Sequence, residues 1–272
     1  MNQYAVWGNP IEHSLSPRIH QLFAEQTNKK ISYTAISTNK EEFKAQIFNF
    51  LKKQGTKGAN VTAPFKELAM EVAEEHSVPC LIAGSCNTLA ILDKGILVAD
   101  NTDGIGLVTD LTRLDWLQPN QKILILGAGG ATKGVLYPLL TAKQNITIYN
   151  RTNEKAVTLS QKFAKYGEIN STTLDELNNQ SFDLIINATS SGLTGQHINI
   201  PETLFKNTNV YDMQYASNMN TPFLNYAKQN SASYCQDGLG MLVAQAAYSF
   251  YKWEKVMPQI EPVLKQLRTE IK

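Results

Sequence analysis

The sequence predicts an α/β protein assembled from parallel βα units, and three observations carry that prediction. Short β-rich runs alternate with stretches of helical periodicity along the chain. The run Lys122-Ile123-Leu124-Ile125-Leu126 is apolar almost throughout and leads into glycines and then a helical pattern, as a strand buried on both faces does. The 272 residues suffice for one large domain or two ordinary ones, with most of the unfolded chain's surface buried on folding.

The elements follow in order. Tyr4-Ala5-Val6-Trp7-Gly8 reads as a first strand, and Pro17 to about Thr27 as a helix with Ile19, Leu22 and Phe23 on one face. Ile31 to Ile36 is a second strand. Glu41 to Gln54 is a helix carrying Phe43, Ile47, Phe50 and Leu51 at helical intervals, and Lys57 to Val61 is a third strand. Asn87 to Asp93 and Gly95 to Ala99 read as a hairpin or a pair of short strands around Asp93-Lys94-Gly95. Gly104 to Leu114 is a connecting helix, and after the turn Leu117 to Gln121 a fresh α/β register begins at Lys122. Asn145 to Tyr149, Phe182 to Asn187, Val210 to Met213 and Ser233 to Cys235 supply further strands. Helices from Gly238 to Trp253 and from about Met257 to Lys272 close the chain.

Composition narrows the function classes. Apolar residues make up 43% and charged residues 18%, with a formal net charge of +1. A nucleic-acid or membrane surface needs clustered Lys and Arg, so neither partner is expected. Cys80, Cys86 and Cys235 form no CxxC and leave one thiol over in any disulfide scheme, which suits a reducing compartment. The start MNQYAVWGNP lacks a basic segment followed by a long apolar run, and no stretch approaches the roughly 20 apolar residues of a membrane span. A cytoplasmic protein is expected. His13, His20, His76 and His197 show no ligand-like spacing, so no metal site is expected.

Leu126-Gly127-Ala128-Gly129-Gly130-Ala131 sits between a buried strand and a helix. Glycines there let backbone N–H groups approach a pyrophosphate at a helix N-terminus, where a Cβ would hold it away. The spacing departs from G-x-G-x-x-G, since Thr132 holds the third position and the next glycine is Gly134. The strand–turn–helix setting, more than the pattern, marks a dinucleotide site. About 20 residues on, an NAD site places an acid to accept from the ribose 2′-OH. This chain instead has Asn150-Arg151-Thr152, with Lys155 one turn later. A guanidinium fork with neighbouring amide and hydroxyl donors suits a 2′-phosphate, and NADP is the expected cofactor.

Four clusters in the first half are polar and small: Ser14-Leu15-Ser16-Pro17, Asn60 to Lys66, Cys86-Asn87-Thr88 and Asn101-Thr102-Asp103-Gly104. Each follows a strand or precedes a helix, so each can stand on one rim of a sheet, where α/β ligands gather. Together they offer what a small molecule with several hydroxyls and a carboxylate requires. Simpler readings exist for each: Ser16 as an N-cap before Pro17, Asn60 and Thr62 as turn residues, Lys66 as a solvated side chain, Asp103 as an N-cap. Capping leaves Ser14 unexplained, and Lys66 would sit at the wrong end of a helix for a cation. Gln245, among apolar helix residues from Met241 to Phe250, needs some partner, because an unpaired buried amide costs about 1–3 kcal/mol.

The order S-x-S-P, N-V-T-x-P-x-K, N-T, N-T-D-G, G-A-G-G-A, N-R-T, N-A-T-x-x-G and G-x-x-M-L-x-x-Q resembles the shikimate/quinate dehydrogenase family from Gly8 to Gln245. The resemblance implies an N-terminal α/β substrate domain over 1–103, joined by the terminal helices 238–272, and a Rossmann-type NADP domain over 104–237. Substrate would lie in a cleft between them. It implies that Ser14, Ser16 and Tyr215 bind substrate, the serines near its carboxylate, and that Thr62, Asn87, Asp103 and Gln245 surround the ring hydroxyls beside Asn60. Lys66 and Asp103 match the catalytic pair. Gly127, Ala128, Gly129, Gly130, Ala131, Asn150, Arg151, Thr152, Lys155, Met213 and Gly238 match cofactor positions, Lys155 standing where relatives often carry arginine. Asn187-Ala188-Thr189 and Gly192 match a cofactor-lining loop.

The implied reaction is reversible NADPH-dependent reduction of 3-dehydroshikimate to shikimate, in aromatic amino-acid biosynthesis. Hydride delivery to a ring ketone leaves an alkoxide, which needs a proton donor in hydrogen-bond reach. A lysine beside a carboxylate meets that need, and serves as base in the reverse direction. Three rivals stand against this reading. A dual quinate/shikimate dehydrogenase able to use NAD would differ beside Ser14 and Ser16, and Arg151 speaks against NAD. A silent ligand sensor on the same fold would have little need of both Lys66 and Asp103. A methylene-tetrahydrofolate enzyme would need an apolar pterin slot. A monomer or homodimer is expected.

Overall fold

The computed structural model describes residues 1–92, 95–189, 191 and 198–271. Its contacts divide the chain into two compact units: Met1–Gly106 with Val243–Lys265, and Leu107–Leu242 with Gln266–Lys272. The expected domain limits at 103/104 and 237/238 fall a few residues earlier. The final helix, expected to belong wholly to the first domain, sends its last turns to the second unit. Arg268 makes an ion pair with Asp237 there.

The first unit runs β1 (Asn2–Gly8), α1 (Ser16–Gln26), β2 (Ile31–Ser37), α2 (Phe43–Leu51), β3 (Gly58–Val61), α3 (Lys66–Met70), β4 (Glu75–His76), α4 (Val78–Ala83), β5 (Thr88–Ile91) and β6 (Leu97–Asp100). Its sheet has the order β2-β1-β3-β5-β6-β4. β1 pairs parallel with β2 and β3, and β5 pairs antiparallel with both β3 and β6. The expected hairpin is therefore present, with Ile91 opposite Leu97; its turn residues Asp93 and Lys94 lie outside the described residues. Beneath the sheet lies an aromatic core. Phe43 stacks on Phe65 with ring centroids 4.7 Å apart, and Trp7 meets Phe43 and Phe50 edge-on. Phe65 is buried to 1% exposure. Truncating such a ring costs about 3–5 kcal/mol, so this anchor fixes the chain immediately before Lys66. Further along, Trp253 stacks on Tyr4 at 4.5 Å and donates Nε1–H to the Leu89 carbonyl at 2.9 Å.

The second unit carries β7 (Lys122–Leu126), α6 (Gly130–Thr141), β8 (Asn145–Tyr149), α7 (Asn153–Phe163), β9 (Ile169–Thr172), α8 (Leu174–Leu177), β10 (Leu184–Asn187), β11 (Asn209–Asp212), α9 (Pro222–Gln229) and β12 (Tyr234–Asp237). The sheet is parallel throughout, in the order β12-β11-β10-β7-β8-β9. Counted from β7, that is the doubly wound order of dinucleotide-binding sheets. Its switch point falls between β7 and β10, and the glycine turn and the Asn187–Thr189 segment follow those two strands. Strands β7 and β10 are fully buried apart from Lys122, which explains their unbroken apolar runs. Helices α5 (Asp103–Arg113), α10 (Leu239–Glu254) and α11 (Ile260–Glu270) complete the chain.

Elements read from sequence and elements observed differ where length is short. The expected helix 41–54 contracts to Phe43–Leu51. The final helix starts at Ile260, past Pro258, which disfavours helix in the residue before it. α3, β4 and α4 span five, two and six residues, too few to show a period. β9 reads Ile-Asn-Ser-Thr and is a strand because it pairs with β8. Among the described residues, no helix is long and apolar enough to cross a membrane.

Candidate active site

In the first unit the rim of the sheet gathers most of the polar clusters. α3 starts at Lys66, after a turn in which the Phe65 N–H donates to the Thr62 carbonyl at 3.0 Å. The Cys86 N–H donates to the Lys66 carbonyl at 2.8 Å, so the lysine backbone is pinned to the turn that carries Asn87. Asp103 opens α5, where its N–H donates to Asn101 Oδ1 at 3.1 Å. Asn101 thus closes a side-chain turn just ahead of α5, and Asp103 is the first residue of that helix rather than its cap. The Asp103 carboxylate is left free for other work.

That carboxylate takes two donors. Lys66 Nζ donates to Oδ2 at 2.5 Å, and Asn87 Nδ2 donates to Oδ1 at 2.8 Å. The lysine side chain is 30% exposed and the aspartate side chain 11%, so the pair is screened from water on one side but reachable on the other. Charge-assisted bonds in such partial shelter are about twice as strong as neutral ones. Asn87 is the hub of the cluster. Its Nδ2 also reaches Gln245 Oε1 at 3.1 Å and Thr102 Oγ1 at 2.9 Å, and its Oδ1 accepts from the Thr102 N–H at 2.9 Å. Gln245 thus has the partner its helix position requires.

Asn60, at 6% exposure, is saturated by the protein itself. Nδ2 lies 3.0 Å from the Asn87 carbonyl and 3.1 Å from Ser249 Oγ, while Oδ1 accepts from Tyr33 Oη at 2.7 Å. Ser16 neighbours the Tyr33 phenol, whose pKa burial pushes up. At the start of α1 the expected Ser16 cap is not formed. The helix caps at Leu15 without a side-chain bond, and the Ser16 N–H donates to Ser14 Oγ at 3.3 Å. The structure thus brings Asn60, Lys66, Asn87, Asp103 and Gln245 together, with Ser16 linked through Tyr33. Thr62 follows β3, where its N–H donates to the Trp7 carbonyl at 2.8 Å. Tyr215 belongs to the second unit, 36% exposed.

Four members of the cluster lie outside the site residues that the sequence singles out: Tyr33, Thr88, Thr102 and Ser249. Thr88 Oγ1 lies 2.8 Å from Ser249 Oγ, and Thr102 Oγ1 lies 3.3 Å from it. The threonines stand in the Asn-Thr pairs, where the asparagine draws the eye. Ser249 carries a signal, since it follows Gln245 by one helical turn and shares its face. Tyr33 carries none, because its neighbours come from β3 and α1.

In the second unit, Gly127 takes φ +105°, a conformation that side chains resist, with Thr189 Cγ2 3.0 Å from where a Cβ would stand. Helix α6 begins at Gly130 with Gly129 at its cap position and no side chain capping it. A Cβ on Gly129 or Gly130 would meet nothing within 4 Å. The space beside Gly129 and Gly130, at the start of this twelve-residue helix, is thus open, which suits an anion approaching the helix N-terminus. The Ala128 N–H donates to Asn150 Oδ1 at 3.1 Å, which ties the glycine turn to the end of β8. Asn150 Nδ2 donates to the Thr152 carbonyl at 2.8 Å, and Arg151, Thr152 and Lys155 are exposed beside it. No carboxylate stands between Tyr149 and Asn153. This donor set fits a dinucleotide carrying a phosphate in place of a free 2′-OH. Thr189 Oγ1 donates to Asn187 Oδ1 at 2.7 Å, and the Met213 N–H donates to the Asn187 carbonyl at 2.9 Å. Gly192 of that loop lies outside the described residues.

Known proteins resemble both halves of the chain. The family models for the shikimate dehydrogenase substrate binding domain, for shikimate/quinate 5-dehydrogenase and for the shikimate 5′-dehydrogenase C-terminal domain match residues 6–89, 113–212 and 238–268. The shikimate dehydrogenase (NADP(+)) of Glaesserella parasuis serovar 5 is 61% identical over 271 residues, covering 100% of this chain and 99% of that one. An Ael1 enzyme from Pseudomonas putida superposes with a TM-score of 0.91 at 38% identity, over 98% of each chain. The shikimate 5-dehydrogenase of Thermus thermophilus, solved with NADP(H) and shikimate, superposes at 0.87 with 28% identity over 99% of each chain.

Proposed function

The chain belongs to the shikimate dehydrogenase family, and from that premise we propose that it catalyses the reversible, NADP-dependent interconversion of 3-dehydroshikimate and shikimate. The observation that carries the reading to the level of residues is the Lys66–Asp103 pair, at 2.5 Å, inside a shell of amides and hydroxyls. The proposed substrate-binding part is 1–103 with 238–272, and the proposed NADP-binding part is 104–237.

Bound NADPH supplies the hydride, and NADP+ takes it back in the reverse direction. The protein's share is proton transfer and positioning. Lys66 donates a proton to the oxygen that becomes the alcohol, and in oxidation removes it. Asp103 holds the ammonium through Oδ2 and is itself held by Asn87 through Oδ1, so neither charge must find its place during the reaction. The spare acceptor capacity of that carboxylate anchors a ring hydroxyl. Asn87, Thr62 and Gln245 line the remaining hydroxyls. Ser14 and Ser16 stand near the carboxylate, and Tyr215 is a further substrate-binding residue. Asn60 acts from behind, since all its hydrogen-bonding groups are taken by the protein. For the cofactor, the first turn of α6 takes the pyrophosphate, and Asn150, Arg151, Thr152 and Lys155 take the 2′-phosphate. Thr189, Met213 and Gly238 line the remainder.

The reading carries with it a cytoplasmic enzyme acting as monomer or homodimer, which fractionation and light scattering measure. The direct test is absorbance at 340 nm with shikimate or quinate against NADP+ or NAD+. Turnover with shikimate and NADP+ should exceed every other pairing. Absence of NADP+ reduction with shikimate would remove the proposal.

A further inference from the structure

Asp237 ends β12 and is fully buried, at 0% exposure. A buried carboxylate is costly unless charge and hydrogen bonds compensate it. Here the compensation comes from two directions. Arg268 donates to both oxygens as a fork, its Nη1 reaching Oδ2 at 2.8 Å and its Nη2 reaching Oδ1. The Ala216 N–H donates to Oδ2 at 3.2 Å, and the Leu239 N–H to Oδ1 at 3.4 Å. The carboxylate thus clamps the segment that follows β11 to the segment that follows β12.

The two segments are pressed together beyond that clamp. The Gly238 N–H donates to the Gln214 carbonyl at 2.9 Å. A Cβ on Gly238 would lie 2.2 Å from the Met213 carbonyl oxygen, so no other residue fits there without moving the backbone. Upstream, the Gln214 N–H donates to Asp212 Oδ1 and its Nε2 donates to the Thr189 carbonyl at 2.8 Å. The stretch 213–216 is therefore fixed at both ends. It carries Met213 and Tyr215, one proposed for the cofactor and the other for the substrate.

We propose that Arg268 and Asp237 are positioning residues for the reaction: the guanidinium holds the Asp237 carboxylate, which holds the Ala216 N–H and so sets where Tyr215 stands. This rests on the reading that Tyr215 contacts substrate. Neither Arg268 nor Asp237 touches a reacting atom. The arrangement is a fork rather than a point contact, so Arg268→Lys keeps the charge but not two parallel donors on separate nitrogens, and restores the function only in part.

The test has a structural and a kinetic arm on the full chain. Hydrogen exchange of the peptide spanning 213–220 is measured in Arg268→Gln and Arg268→Lys. Arg268→Gln should speed exchange of that peptide by about tenfold while β7 and β10 keep their protection. Arg268→Lys should fall between it and the parent. In parallel, Arg268→Gln should raise the shikimate KM by about tenfold with kcat changed less than about threefold, and combining it with Tyr215→Phe should add little to the larger single effect. Unchanged exchange at 213–220, or uniform acceleration over the whole sheet, overturns the clamp. Local acceleration with an unchanged KM, or fully additive effects in the double variant, overturns its link to the reaction. A Tyr215→Phe variant with parental KM instead removes the substrate role of Tyr215 and the kinetic half of the inference with it. The exchange result then stands separately.

Discussion

Lys66 Nζ sits 2.5 Å from Asp103 Oδ2, although 37 positions separate them in the chain. They start two different helices, α3 and α5, and Asn87, next to the start of β5, bridges toward both. Three short elements thus converge on one carboxylate. The ammonium is presented rather than free to wander.

Removing that amine isolates its role. Lys66→Ala should lower kcat by roughly 10²–10⁴, with a smaller change in KM for shikimate. Steady-state rates in both directions measure this. A parental kcat would end the acid–base assignment.

Arg151 is the discriminating cation at the end of β8. Arg151→Ala should weaken NADP+ binding by roughly 10–100-fold, the worth of one charge-assisted contact, and leave NAD+ nearly untouched. Fluorescence titration with the two cofactors decides it. Equal weakening of both would mean the side chain does not read the 2′-phosphate.

Asn60 supports the site without being free to contact a ligand. Asn60→Leu removes the acceptor of the buried Tyr33 hydroxyl, while Ser249 keeps Thr88 and the Asn87 carbonyl keeps the Val61 N–H, so unfolding free energy should fall by about 1–3 kcal/mol. Urea denaturation reads this. A loss of activity at unchanged stability would instead make Asn60 a direct ligand.

His20 gives the protein an acid-sensitive point. Its ring stacks on Tyr33 at 4.2 Å with 8° between planes, and burial depresses its pKa from 6.5 to about 3, against a smaller opposing effect of Asn60. The unfolded chain therefore binds a proton that the folded state refuses. Stability contributed by the neutral ring is present above the unfolded value and drains away as pH falls through that window, by at most about 1.4 kcal/mol per unit. His20→Phe should keep the stack and flatten that slope, as melting temperatures across the acid range would reveal. Parallel slopes in both proteins would clear His20 of the effect.

Much of the fold was legible because its signals are local. Lys122–Leu126 and Asn145–Tyr149 are strands with the bounds read from sequence, the first because a strand buried on both faces shows as an unbroken apolar run, the second because its isoleucines alternate with polar residues. The glycine turn and Arg151 were legible for a similar reason: backbone conformation and charge near a phosphate are dictated by the residues themselves. The site residues Lys66, Asn87 and Asp103 could be named from residue type and order.

What only the tertiary structure decided is which of them satisfy each other. Chain order could not show that Asn101 accepts the Asp103 N–H ahead of α5, nor that Ser14 Oγ rather than Ser16 Oγ takes an N–H at the start of α1. Tyr33, Ser249 and the Arg268–Asp237 clamp depend on elements far apart in sequence. Periodicity tells which face of an element is buried. A hydrogen bond between two elements depends on register and distance, and these exist only once the chain has folded.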